Sequence, residues 1–322
     1  MLPTTSATHP ASWAAIAANP SSGSGPNRQR VDALCDALAR RGLEPRVSWE
    51  PVENWLAETA DDRCAAVIAA GGDGTAHRVL QQSVLREPTP RRSSPLPFAM
   101  FPLGTENLLS KEWGFSSEPD RLAADIARGE TESIDLGRAG DRWFSLMLSA
   151  GFDAEVIRRL DAWRTEHAGR VRRVRHISYA RPVWNSLRSY PFTPIRIETG
   201  RGDVLVTYQA LLFNLPIYAL RLPVCPHAVP DDGELDWIAL TRPGRANFGT
   251  FVLDLFCHRH LDRPDVASGR DRWLRLTSDE PVPVQVDGEI IGTTPIEVTA
   301  EPGAAQLIST RGAAGSQVER KR

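Results

Sequence analysis

The first third of the chain alternates short apolar runs with glycine-bearing turns and stretches of helical spacing. Trp13 to Ala18 is apolar throughout and runs into Asn19-Pro20-Ser21-Ser22-Gly23-Ser24-Gly25; Val31, Leu34, Ala37 and Leu38 then recur at steps of three or four. A buried strand, a turn and an amphipathic helix account for that pattern. Arg46 to Trp49 can form a second strand and Trp55 to Thr59 a short helix. Cys64 to Ala70 is a second continuous apolar run, followed by Gly71-Gly72-Asp73-Gly74-Thr75 and a helical pattern through Val79, Leu80 and Val84. Pro97 to Phe101 repeats the motif, ending in Pro102-Leu103-Gly104-Thr105-Glu106-Asn107 before a helix from about Leu108. Strand, turn and helix in repetition predict a parallel sheet with helices on both faces.

Near Ile134 the pattern changes to short segments of alternating polarity: Trp143–Ser149, Ile195–Thr199, Val204–Phe213, Leu235–Leu240, Trp273–Thr277, Val282–Val286 and Ile296–Thr299. This spacing predicts a mostly antiparallel β domain. One interruption, Ala154 to about Arg188, places Val156, Leu160, Trp163, Val171, Val174 and Ile177 at helical intervals. The reading is therefore α/β: residues 1–12 a tail, 13–133 a three-layer α/β domain, 134–310 a β-rich domain, and 311–322 a second tail. At 322 residues the length suits two domains.

Composition narrows the function classes. Lys+Arg 38 against Asp+Glu 40 leaves a net charge of −2, without the basic excess of a dedicated nucleic-acid binder. Lys111 and Lys321 supply all the lysine, and neither follows glycine in a Walker A setting, so any phosphate is met by another device. Cys35, Cys64, Cys225 and Cys257 form no CxxC pair, which fits a reduced, cytoplasmic compartment. No apolar run approaches the length of a membrane span. Cys257-His258-Arg259-His260 lacks a second cluster to complete a metal site, and His77 is as well suited to helix packing as to a binding role.

Turns that follow parallel strands gather at the carboxyl edge of the sheet, where ligands bind. Glycine lets backbone N–H groups approach phosphate oxygens, and a following helix N-terminus favours anions. Asp73 lies among the glycines of the second turn. Asp232-Gly233 and Asp287-Gly288 are, taken alone, the commonest hairpin dipeptide.

Taken in order, Asn19 to Gly23, Gly71 to Thr75, Pro102 to Asn107, Gly151 to Val156, Asp231 to Asp236 and Val286 to Glu289 resemble the signatures of the diacylglycerol kinase catalytic family, which includes bacterial lipid kinases and the sphingosine and ceramide kinases. The likeness spans about Trp13 to Ile308. It implies transfer of phosphate from ATP to a lipid hydroxyl, with nucleotide in a cleft between an α/β and a β-sandwich domain, and a role in lipid metabolism or phospholipid biosynthesis. By the resemblance Asn19, Gly72, Thr75, Gly104, Thr105 and Asn107 serve the nucleotide. Asp73 holds a catalytic Mg²⁺ network or acts as base; Asp287 corresponds to a catalytic base and Glu289 to its partner. Asp232, through its carboxylate, and Val229 and Glu234, through their carbonyls, correspond to a structural Mg²⁺ loop.

Two positions depart from the family's pattern. Ser24 stands where a basic residue is common, with Arg28 as a candidate substitute, and Leu108 follows Asn107 where bacterial members often have Asp. The acceptor, diacylglycerol or a sphingoid-type lipid, is left open by these residues, as are a NAD kinase-like enzyme and a catalytically silent nucleotide-binding regulator. Seven arginines between Arg158 and Arg175, interleaved with Leu160, Trp163, Val171 and Val174, suit peripheral contact with an anionic membrane as well as they suit a solvated helix. Monomer and homodimer are equally compatible with the sequence.

Overall fold

The computed structural model describes residues 12–19, 27–50, 63–84, 95–166, 188–218 and 222–311. The chain divides into two compact units, one of residues 1–133 with 305–322 and one of residues 134–304.

In the first unit β1 (Trp13–Ala18), β2 (Glu44–Ser48), β3 (Cys64–Gly71) and β4 (Pro97–Pro102) are parallel, in the order β2-β1-β3-β4. Gln306 and Leu307 continue the sheet, parallel to Pro97 and Phe98 of β4. Every residue of β1 is buried, as expected of a parallel strand covered on both faces, and four of its six side chains are alanine. The helices are α1 (Asn27–Ala39), α2 (Asp73–Val84), α3 (Leu108–Trp113) and α4 (Pro119–Arg128). α4 adds to the elements expected from the sequence. Pro119 starts it, Leu122, Ala123 and Ile126 bury one face, and Gly129 ends it at φ 68°. The segment expected as a short helix, Trp55 to Thr59, lies outside the described residues.

The second unit is a sandwich. Its chain order is β5 (Thr131–Ala139), β6 (Arg142–Phe144), β7 (Met147–Gly151), α5 (Phe152–Glu166), β8 (Ile195–Thr199), β9 (Val204–Thr207), β10 (Gln209–Phe213), β11 (Leu235–Leu240), α6 (Arg245–Phe256), β12 (Val266–Asp271), β13 (Trp273–Thr277), β14 (Pro283–Val286), β15 (Glu289–Thr293) and β16 (Ile296–Ile308). An antiparallel sheet runs β12-β11-β10-β7-β14-β15. Residues 296–299 of β16 pair with β13, which continues to β8 and β9. Leu148, Ala150, Leu212 and Val284 of the first layer and Ile195, Ile197, Leu274 and Leu276 of the second share one core. Their spacing of two along each strand is what sends them to the same face.

Several expected elements differ in extent. The run Trp143–Ser149 divides into β6 and β7 because Ser145 and Leu146 turn their N–H groups to Asp287 instead of to a neighbouring strand. Val204–Phe213 divides at Tyr208, beside which the Thr207 hydroxyl bonds the Gln209 and Leu240 carbonyls. The helix expected over 154–188 is present as α5 to Glu166; residues 167–187, with Arg170, Arg172, Arg173 and Arg175, lie outside the described residues. α6, β12 and β15 are further additions. No helix among the described residues is long and apolar enough to cross a membrane.

Candidate active site

The chain leaves β1 at Asn19, and two turns leave the carboxyl ends of β3 and β4. Backbone bonds hold them side by side: Asn19 N–H donates to Ala70 O at 3.1 Å and Leu103 N–H to Gly71 O at 2.8 Å. Asn19 also donates through Nδ2 to Thr75 Oγ1 at 3.3 Å, joining the end of β1 to the start of α2. The two turns touch at their glycines. A Cβ on Gly104 would meet Gly72 Cα at 2.5 Å and Asn107 Oδ1 at 2.7 Å. Gly104→Ala is therefore expected to push the two turns apart at a stability cost of roughly 1–3 kcal/mol, as overpacking does; an unchanged melting temperature would refute this.

Asn107 has a structural task at this junction. At φ 49° it precedes α3, its Oδ1 accepts Gly104 N–H at 3.0 Å and its Nδ2 donates to Gly104 O at 2.9 Å. Its side chain thus closes the turn that presents Gly104 and exposed Thr105. Asp73 opens α2, half-buried, and its Oδ1 accepts Leu109 N–H at 3.3 Å. The carboxylate lies where the N-terminal dipole of α2 favours negative charge. Its oxygens are hard donors of the kind Mg²⁺ takes, so the residue fits that ion chemically. His77 is buried on the same helix. Arg28 stacks over the Trp49 ring at 5.0 Å; Ser24 lies outside the described residues.

In the second unit Asp287 and Gly288 have φ 46° and 89°, the two left-handed positions of a type I′ turn between β14 and β15. The hairpin reading of Asp-Gly is correct, and the carboxylate does more. Asp287 Oδ2 accepts Ser145 N–H at 2.8 Å and the Ser145 hydroxyl at 3.1 Å, while Oδ1 accepts Leu146 N–H and Met147 N–H, both at 2.9 Å. Four donors fix the carboxylate in place. Glu289 follows at the start of β15, half-buried.

A polar cluster lies behind the hairpin. Gln285, fully buried, accepts Gly288 N–H through Oε1 at 2.8 Å, and its Nε2 reaches Ser149 Oγ at 2.9 Å and Asp153 Oδ2 at 3.2 Å. Asp153 further accepts the Ser149 hydroxyl at 2.6 Å and the Tyr218 hydroxyl at 3.1 Å. Burial pushes the Asp153 carboxyl up, against these hydrogen bonds. Between the unfolded value of about 4 and this raised value the folded protein binds more protons, so this group lowers stability as pH rises through that window. Asp153→Asn should flatten that part of the urea-measured pH–stability curve; an unchanged difference between pH 4 and pH 8 would refute the assignment.

Two further residues were not singled out by the sequence. Asp135 accepts Gly233 N–H at 2.6 Å and Gly303 N–H at 2.8 Å, and Asn214 Nδ2 donates to the Asp135 and Ser145 carbonyls at 2.9 and 3.0 Å. Both are buried. A polar residue closing an apolar run, as Asn214 closes β10, is the signal that marks such a position.

The loop of Val229, Asp232 and Glu234 is a salt-bridged turn. Asp232 Oδ1 accepts Glu234 N–H at 3.1 Å and Oδ2 pairs with Arg270 Nη1 at 3.1 Å; Arg270 also reaches Asp236 Oδ1 at 3.3 Å, and the Glu234 side chain pairs with Arg201 at 3.5 Å. Both carboxylate oxygens are engaged, and a guanidinium already supplies the positive charge. This donor set does not fit Mg²⁺ as arranged. Equal melting temperatures in Mg²⁺ and in chelator are expected; a rise of several degrees in Mg²⁺, lost in Asp232→Ala, would show that the ion displaces Arg270.

Comparison with known proteins adds to this geometry. Residues 14–139 match the diacylglycerol kinase catalytic domain, and residues 147–309 match the YegS C-terminal NAD kinase beta sandwich-like domain. A diacylglycerol kinase of Mycobacterium tuberculosis (strain ATCC 25618 / H37Rv) is 28% identical over 253 residues, covering 76% of this chain and 77% of its own. A protein of Xanthomonas campestris pv. campestris (strain 8004) named "Probable lipid kinase YegS-like" is 30% identical over 276 residues, covering 78% of this chain and 82% of its own. In fold, the crystal structure of a diacylglycerol kinase from Bacillus anthracis str. Sterne superposes with a TM-score of 0.66 at 16% identity, covering 94% of this chain and 98% of that one.

Proposed function

Because the chain belongs to the diacylglycerol kinase catalytic family and is a lipid kinase, we propose that it transfers the γ-phosphate of ATP to a hydroxyl of diacylglycerol or of a sphingoid-type lipid, with Mg²⁺. The observation that carries this reading is the junction of glycine turns in the first unit, with Asp73 at the N-terminus of α2. Backbone N–H groups of the turns after β3 and β4 are suited to phosphate oxygens, and Asn19, Gly72, Thr75, Gly104 and Thr105 shape the nucleotide site. Asn107 acts on it indirectly, by closing the turn after β4.

Mg²⁺ bound with the nucleotide would neutralise charge that develops on the transferred phosphoryl group. Asp73 is the residue that would hold it. Phosphoryl transfer depends on positioning and electrostatics more than on a strong base. Asp287 orients the acceptor hydroxyl and takes its proton by giving up one of its four hydrogen bonds, of which the Ser145 hydroxyl at 3.1 Å is the longest, with Glu289 beside it. The bonds from Ser145, Leu146 and Met147 fix Asp287, and Gln285 fixes the N–H of Gly288.

A radiolabelled-phosphate transfer screen over diacylglycerol, sphingoid bases, ceramide and monoacylglycerol tests the proposal, with NAD as a further acceptor. Labelled diacylglycerol or sphingoid product supports it. Transfer to NAD alone, or no transfer to any acceptor, overturns it.

A further inference from the structure

α6 carries large apolar side chains on opposite sides. Phe251 and Leu255 are buried, and Phe248 packs on Phe152 with ring centroids 4.4 Å apart, so this side is occupied by the second unit itself. Leu253 and Phe256 are 66% and 53% exposed. They lie three residues apart, hence on one face, and no other helix among the described residues exposes two large apolar side chains in this way. Single exposed apolar residues are ordinary; two on one helix face, with the other side already packed, call for a partner.

The charges around this face indicate what that is. Arg242 and Arg245 lie at the start of the helix, His258 and Arg259 just past its end, all exposed. None of the three guanidinium groups has an ion-pair partner among the described residues. Asp254, the one carboxylate on the helix, is paired with Arg263 at 2.6 Å, and Arg263 is held in turn by Asp265 at 3.0 Å. Asp262 is the nearest exposed acid in sequence. From residue 242 to 265 four arginines stand against Asp254, Asp262 and Asp265, a net +1 in a chain of net charge −2, and Arg242, Arg245 and Arg259 are the exposed ones. A second copy of the chain is a poor occupant, because a two-fold contact through this helix would bring arginine-bearing ends together. An anionic bilayer meets both features at once: apolar side chains enter the acyl boundary and guanidinium groups reach the phosphates.

We infer that α6 is the surface by which this enzyme docks on an anionic lipid bilayer, with Leu253 and Phe256 inserted and Arg242, Arg245 and Arg259 on the headgroups. The inference rests on the lipid-kinase reading, which places the substrate in a membrane, and it locates the contact on an element separate from the arginine-rich segment after Arg158. Sedimentation with vesicles of phosphatidylcholine and phosphatidylglycerol tests it on the full chain. The double variant Leu253→Gln/Phe256→Gln should lose at least about tenfold in partitioning, given the apolar area withdrawn from water. The triple variant Arg242→Gln/Arg245→Gln/Arg259→Gln should lose roughly 100-fold on anionic vesicles and much of the salt dependence, and change little on pure phosphatidylcholine. Melting temperature and activity on detergent-dispersed short-chain diacylglycerol should be unchanged in both.

Wild-type sedimentation of either variant overturns the inference, as does a wild-type protein that ignores anionic vesicles. A shift from dimer to monomer in the double variant, without a change in vesicle binding, would overturn it in favour of a contact between copies. Failure of the kinase reading is separately visible, since it removes phosphate transfer in detergent and leaves the vesicle measurement intact.

Discussion

Asp287→Asn should lower turnover by at least about 100-fold, the scale of a lost acid–base group, and should also destabilise the second unit. The two effects have one origin. The carboxylate accepts four hydrogen bonds, two on each oxygen. An amide in the same place turns an NH₂ group towards one pair of donors and leaves them without an acceptor. Bonds to a charged acceptor are worth about 1.5–3 kcal/mol each and are not additive, so a net loss of roughly 2–4 kcal/mol is expected. Turnover must therefore be measured below the variant's melting temperature, with circular dichroism confirming the fold. Near-wild-type kinetics would end the case for Asp287 as the proton acceptor, and an unchanged melting temperature would contradict the clamp.

Asp73→Asn is expected to separate chemistry from stability. Its carboxylate accepts a backbone N–H at 3.3 Å, a long bond that an amide oxygen can reproduce. The negative charge that would hold Mg²⁺ is lost, and turnover should fall by at least about 100-fold, with melting temperature within a few degrees of wild type. A raised requirement for Mg²⁺ in the residual activity would locate the defect at the ion. Full activity at ordinary Mg²⁺ concentrations would remove Asp73 from the mechanism.

The parallel half of the fold was legible because its signals are local. Each of the runs at Trp13, Cys64 and Pro97 is apolar without alternation and ends in glycine or proline, and each is a buried parallel strand. α4 was not read from the sequence although its signals are as local, with Pro119 at its start, apolar residues at 122, 123 and 126, and Gly129 at its end. α6 was harder, since Leu253 and Phe256 on the exposed side blur the periodicity that Phe251 and Leu255 set on the buried one. The site divides along the same line. Glycine turns could be read from the dipeptides, but the donors to Asp287 come from a strand break about 140 residues away, and only pairing of β14 with β7 brings them there. Gln285 and Asn214 take their meaning from the same long-range pairing.

The route of the final strand bears on how the protein is made. β16 belongs to the second unit as far as Ala304, and the residues after it return to the first. There Leu307 pairs with Phe98, the Trp113 indole donates to the Ile308 carbonyl at 3.2 Å, and Ser309 N–H donates to Glu130 O at 2.8 Å. The α/β half is thus translated first and completed last. Until residue 309 has left the ribosome, the edge of β4 is an open, apolar strand, able to pair with another nascent chain. A fragment ending near residue 133 would carry that edge permanently, and a peptide spanning residues 303–311 supplied in trans is the piece that would cap it.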